Sequence, residues 1–173
     1  MTNWTIGQLV TAALMNSNLQ ALGNFVLAPP LAQVVQTTAQ SIPSSSSTWT
    51  PLLFDTNVLD SDNGHSTTSN TSRYVIQVAG TYLAIGCYAL ANPNSTGDRA
   101  ARIAKSGSPV QGSAGATPPA SGLVGIAVTT PVLVPCIAGD YLEVHAQQAS
   151  GAAVNTYSDT SFASSMLVLR VSN

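Results

Sequence analysis

The spacing of apolar residues changes once along this chain, at the Pro29–Pro30 pair, and does not change back. Before it, the segment NWTIGQLVTAALMNSNLQALGNF carries Leu14 or Met15, Asn18, Leu19, Leu22, and Phe25 or Val26 at steps of three and four, which is one stripe of a helix. Thr11 is placed to cap its first turn, and Gly23 followed by the two prolines to stop it. The predicted helix has about 13 residues and a length of roughly 20 Å, too short to persist alone in water. Its stripe must therefore press on its own β-domain, on the same helix in sister chains, or on a foreign surface. Asn16 and Asn18 near such a seam favour a defined register. Ahead of the helix, Trp4 and Ile6 form a short apolar arm that an isolated chain has little reason to expose.

From Ala32 onward the period is two. AQVVQTTAQSI and TWTPLLF read as strands separated by PSSSS, and RYVIQVAGTYLAIGCYAL as two strands broken at Ala79-Gly80. In the second of these, Leu83, Ile85, Cys87 and Ala89 share one face and Tyr82, Ala84, Gly86 and Tyr88 the other. DRAARIAK runs into a Ser106-Gly107 turn, LVGIAVTTPVLVPCI is almost wholly apolar, and MLVLRV is the final strand. In DYLEVHAQQ, Leu142, Val144 and Ala146 alternate with Tyr141, Glu143, His145 and Gln147, which places His145 outward. About eight or nine strands at such spacing predict an antiparallel sandwich, and the absence of interleaved helical stretches argues against a parallel α/β fold. The domain reading is an arm and helix over 1–30 and a sandwich over 31–173. Two stretches, 60–72 and 106–122, read as long loops suited to partner contact, with Asp60, Asp62, His65, Gln111 and Pro118 as candidate contact residues.

Composition narrows what such a sandwich does. Only 7% of the 173 residues are charged, against about 25% in a typical soluble domain, and Ser, Thr, Asn and Gln carry the polarity instead. A neutral surface of this kind packs against copies of itself with little charge to desolvate. Five scattered Lys and Arg in a chain of net charge −2 offer no phosphate-binding patch, so nucleic acid is not an expected partner. No apolar run approaches the roughly 18 residues of a membrane span. The N-terminus lacks the pattern of a cleavable signal, which predicts a product that starts in the cytosol. Cys87 and Cys136 sit in apolar runs and are expected as two buried thiols, with one cross-strand disulfide as the alternative.

Catalysis finds little footing. There is no Gly-x-Ser-x-Gly elbow, phosphate loop or Cys–His pairing, so no catalytic residue and no enzymatic activity are expected. Carboxylate pairs for glycoside chemistry would have to come from Asp55, Asp60, Asp98, Asp140, Glu143 and Asp159, of which Asp98 and Asp140 follow glycines as turn residues do. DSDNGHS begins like a calcium loop with Asp60, Asp62 and Asn63, but Gly64 is one residue early and no Glu stands at the twelfth position. An ordinary turn is the leading reading there, with Ca2+ as the lesser one; otherwise no cofactor or metal is expected.

Several of these stretches resemble known proteins. VAGTYLAIG is similar to the Gly-x-Tyr strand of the complement-globular-head and tumour-necrosis-factor-like jelly rolls, AGDYLEVHAQQASG to their penultimate strand, and MLVLRV to their last. The segment from DNGHS to NSTGDRAARIAKSG resembles versions of this fold in structural proteins of tailed bacteriophages. There an arm and helix of the form seen in Trp4, Gly7, Val10, Thr11, Ala12, Met15 and Asn16 often precede the jelly roll. One departure is Ser106-Gly107 in place of an Asn-Gly turn. The resemblance implies a ten-stranded jelly roll packed as a homotrimer on a virus particle, in contact with capsid or tail proteins. It decorates the capsid or forms a fibre or tail tip. The alternatives it leaves are a receptor-binding module for a host glycan or protein and a secreted complement-head-like trimer of cellular origin. Anchoring and self-association are then expected of Trp4, Ile6, Leu14, Met15, Leu19, Leu22 and Phe25. The trimer-packing candidates are Tyr82, Tyr88 and His145, and one histidine repeated by three subunits is the histidine arrangement left open for a metal on the axis.

Overall fold

The computed structural model describes residues 11–91, 96–118 and 124–172, with the backbone alone at 21, 24, 25 and 27. Trp4 and Ile6 therefore lie outside the described residues, as does the side chain of Phe25. The helix α1 spans Ala12–Leu27 and is capped as expected, with Thr11 Oγ1 accepting the Leu14 backbone N–H at 3.2 Å. It is 16 residues long because it runs through Gly23. A glycine inside a helix costs only about 1 kcal/mol, whereas the residue before a proline is driven out of helical geometry, so Pro29–Pro30 provide the stop.

The strands in order are β1 (Leu31–Val35), β2 (Ser41–Ile42), β3 (Thr50–Pro51), β4 (Thr56–Asp60), β5 (Tyr74–Val75), β6 (Gly80–Ala91) and β7 (Arg99–Lys105). They continue with β8 (Ser108–Pro109), β9 (Gly115–Thr117), β10 (Val124–Val128), β11 (Val132–Cys136), β12 (Tyr141–Gln148), β13 (Val154–Asn155) and β14 (Ser165–Ser172). One six-stranded sheet runs β10–β6–β14–β1–β4, with β11 also paired to β6; the other runs β3–β12–β7–β8, with β5 on β12 and β9 on β7. β2 and β13 form a two-stranded ribbon. Every one of these ladders is antiparallel, and the first strand is hydrogen-bonded to the last, so the chain closes on itself as an antiparallel jelly-roll sandwich. The strands are more numerous and shorter than the sequence suggests.

Two of the expected segments divide for visible reasons. The run 32–42 does not continue as one strand, because the Thr37 and Thr38 backbone N–H groups donate to the Asp55 carboxylate at 2.8 and 2.7 Å instead of to a neighbouring strand. The expected long loop over 106–122 instead contains β8 and β9, both paired to β7. Its opening turn has φ of 48° at Ser106 and 81° at Gly107, the pair of positive values that a tight two-residue hairpin requires.

The core lies between the sheets and includes Val34, Phe54, Tyr74, Tyr82, Val144 and Met166. Here one expectation is reversed. Tyr82 and Tyr88 are both 0% exposed and face the other sheet, so neither is available to pack against a second subunit. The glycine between them explains the choice: a Cβ on Gly86 would come within 2.6 Å of a Val144 methyl across the sandwich. Only a face that alternates large and very small side chains fits under β12 so closely. Leu83, Ile85 and Cys87 consequently point out of the molecule. Cys136 is buried but Cys87 only half-buried, and both are free thiols, so the expected pair of buried cysteines holds for one of them.

Candidate interaction surface

The outward face of the first sheet is built from the residues between its core positions. Register places Leu31 beside Leu169, Leu169 beside Leu83, and Leu83 beside Leu133, a continuous row of leucines across four strands. A second row runs Leu59, Gln33, Leu167, Ile85, and a third runs Thr56, Val35, Ser165, Cys87, Val128. These rows carry no charged side chain, and their members are half-exposed or exposed. A face so apolar leaves unburied surface of the type that partner contacts cover.

The outward face of the second sheet is the opposite in both respects. Glu143 and His145 on β12 and Arg102 on β7 occupy it, and the chain's own loops close over it. Ser72 Oγ donates to Glu143 Oε1 at 2.7 Å, Arg73 Nε approaches the same oxygen at 3.4 Å, and His145 Nε2 lies 3.2 Å from Glu143 Oε2. The Arg102 guanidinium stacks 4.2 Å above the Trp49 ring, and that of Arg73 4.1 Å above Tyr141. Burial works against ionisation of Glu143, but the hydrogen bonds from His145 and Ser72 and the nearby charges outweigh it and hold the carboxyl below its ordinary value. His145 therefore stands on the outward face, as its alternation predicts, but is buried there within its own protomer at 6% exposure, so the proposed subunit contact through it is corrected.

The 60–72 segment is a braced turn. Asp60 takes the backbone N–H groups of Gly64 and His65, both at 3.0 Å, and Asp62 Oδ1 accepts the Tyr74 hydroxyl at 2.7 Å. Burial and that carboxylate push the Tyr74 phenol far above its usual value. His65 is buried, its Nδ1 on Asn57 Oδ1 at 2.5 Å and its Nε2 on the Thr71 carbonyl at 3.0 Å, with the ring edge-on to Phe54. Asp60, Asp62 and His65 thus serve the turn itself and leave little for a partner, while Gln111 and Pro118 are exposed. Among the described residues no three His, Cys, Asp or Glu side chains gather as a metal site would need. Three other carboxylates are likewise engaged. Asp55 accepts from Thr37 and Thr38, Asp140 from Ile137 and Lys105, and Asp159 from Ser161 and Phe162. Beside the braced turn lies an open polar cleft of about 320 Å3, lined by Asn63, Ser69, Asn70, Arg73 and Gln77 among others.

The described side chains of α1 add a second apolar surface. Met15, Leu19, Leu22 and Val26 are exposed while Leu14 and Asn18 are half-buried, so part of the stripe expected of the helix is exposed on the protomer. No helix among the described residues is long and apolar enough to cross a membrane.

No protein-family model and no curated protein sequence matches this chain. Solved structures do. The globular domain of the zebrafish complement 1qA protein aligns with a TM-score of 0.58 at 12% identity, over 83% of this chain and 99% of that one. Murine APRIL, solved at pH 5.0, aligns with a TM-score of 0.60 at 11% identity, over 83% and 99%. Sequence likeness this low carries the architecture alone, and on that ground the chain has the complement-head and tumour-necrosis-factor-like jelly-roll fold.

Proposed function

We propose that this chain is a non-enzymatic structural subunit of a tailed-bacteriophage particle. It forms a homotrimer whose heads meet through the outward face of the β10–β6–β14–β1–β4 sheet, with segment 1–30 attaching it to the capsid or tail. The observation that carries the self-association is the row Leu31–Leu169–Leu83–Leu133, apolar, uncharged and half-exposed or exposed on the single protomer. Fully burying one such side chain contributes about 1.5–3 kcal/mol, so several half-exposed ones repeated on three copies supply a substantial driving force. The particle role rests on the sequence, in which an arm, a short helix and a low-charge jelly roll occur in the order seen in phage structural proteins. On this reading the protein is exposed on the virion, binds neither nucleic acid nor membrane, and needs no cofactor. Immunogold labelling of purified particles tests it. Gold confined to one site on the head or tail supports the role, and particles free of label while the protein stays in the lysate supernatant contradict it.

A second reading is favoured by the polar cleft beside Asn63, Asn70 and Arg73, whose amides and guanidinium suit the hydroxyls of a host surface glycan. A glycan array probed with the full chain separates this from a purely structural role.

A further inference from the structure

The exposed residues of α1 are not scattered. Ala12, Met15, Leu19, Leu22 and Val26 follow one another at steps of three, four, three and four, the repeat of a coiled-coil seam. All are exposed on the protomer, with Met15 at 49%, Leu19 at 61%, Leu22 at 45% and Val26 at 64%. The adjacent stripe differs, since Leu14 and Asn18 are half-buried and Asn18 Nδ2 donates to the Leu14 carbonyl at 3.0 Å. No residue of Ala12–Leu27 is charged, so copies of this helix meet without like-charge repulsion, while the helix offers no charge complementarity to a foreign surface.

The base of the helix is fixed as well. The Pro30 carbonyl accepts the Arg170 backbone N–H at 2.9 Å, and the Leu31 N–H donates to Ser61 Oγ at 2.8 Å. The connection from Leu27 to Leu31 is only Ala28, Pro29 and Pro30, and Leu31 opens the leucine row on the sheet face. Heads that meet through that face therefore bring the bases of their helices together, and cyclic symmetry makes those helices parallel.

We infer that α1 closes on the α1 helices of two sister chains as a parallel three-stranded coiled coil, with Met15, Leu19, Leu22 and Val26 in its seam. This rests on the trimeric reading of the head. Two heptads, about 24 Å of helix, are too few to associate unaided, so the seam forms because the heads hold the helices at high local concentration. The number of strands is set by the head.

The test uses the full chain with Cys87→Ala and Cys136→Ala as background, and introduces Leu22→Cys in the seam or Gln20→Cys outside it. Sedimentation reports the oligomeric state, and mild oxidation followed by denaturing electrophoresis reports like-with-like crosslinks. The expected result is a trimer in both cases, with Leu22→Cys forming covalent dimers at least about tenfold faster than Gln20→Cys. Leu19→Cys, a second seam position, behaves like Leu22→Cys. Equal or absent crosslinking in a chain that sediments as a trimer overturns the coiled coil and leaves the trimeric head standing. Crosslinking that appears only on particles also overturns it, in favour of a foreign surface. A monomeric chain overturns both readings.

Discussion

The two sheets of this sandwich present outer faces that are treated in opposite ways. On the second sheet the outer face holds Glu143, His145 and Arg102, and the chain folds its own Ser72, Arg73 and Trp49 down onto it. On the first sheet the outer face holds leucines, isoleucine and valine, and they stay at least partly exposed. A protein minimising exposed apolar surface within one chain would do the reverse, since polar groups cost little in water and leucines do not. The difference is that the protomer covers its polar outer face and leaves the leucine face at least partly exposed. A polar face can be closed with the chain's own loops where its groups find partners, as Glu143 does in Ser72, Arg73 and His145. On the proposed trimeric reading, the apolar face is left for sister chains to cover.

Four changes break or sharpen that contrast. The largest effect is expected from Leu83→Asp combined with Leu167→Asp, which puts carboxylates into the leucine face. On the proposed trimeric reading, the assembly should fall apart completely at micromolar protein, as read by sedimentation, while the circular dichroism of the folded head is retained, because neither side chain is in the core. Next is Glu143→Ala on the covered face. It strips Ser72, Arg73 and His145 of their shared acceptor and is expected to cost about 2–3 kcal/mol in urea unfolding, with the oligomeric state of the folded protein unchanged.

Tyr82→Phe probes the inner face of the first sheet. The Tyr82 hydroxyl donates to the Val78 carbonyl at 2.6 Å, and burial pushes its pKa up to about 12. Losing that bond should cost about 1 kcal/mol of stability, with sedimentation unaltered. A dissociated Tyr82→Phe variant would restore the tyrosines to the subunit interface. The smallest effect concerns acid. Glu143 has a lowered folded pKa, so its contribution is complete above the unfolded carboxylate range, about pH 4–5, and is lost progressively as pH falls below that range and through its lower folded value. Asp55 acts in the same direction: burial alone would raise it, but hydrogen bonds from Thr38 and Thr37 hold it far below its ordinary value. Glu143→Gln should flatten the loss of stability below pH 5 in urea titrations, and Leu167→Asp should not.

Much of this was legible in the sequence. The change of period at the prolines separates the helix from the sandwich, Thr11 caps where expected, and the Ser106-Gly107 hairpin and the Gly139-Asp140 turn are where their residue types put them. The face of β6 was misassigned because period two identifies two faces without saying which is inside, and leucine with isoleucine looks more core-like than tyrosine. The discriminating signal was present in Gly86: a glycine between aromatic residues on one face marks a close approach of the opposite sheet. The burial of His145 was not legible, because it depends on loops more than 70 residues away in sequence, at Ser72 and Arg73. Alternation along β12 reads identically whether the outer face is wet or covered. The candidate site is legible only once register is known, since the leucine row is assembled from four strands that no local pattern brings together.

The central claim is that the outward face of the first sheet is covered by sister chains. Hydroxyl-radical footprinting of the native full chain, at micromolar protein and after dilution to the monomer, tests it most directly. Oxidation at Leu83, Ile85, Leu167 and Leu169 should rise on dilution while Trp49, on the second sheet, keeps one rate. Equal oxidation of those four residues in the assembled and diluted protein would contradict the claim.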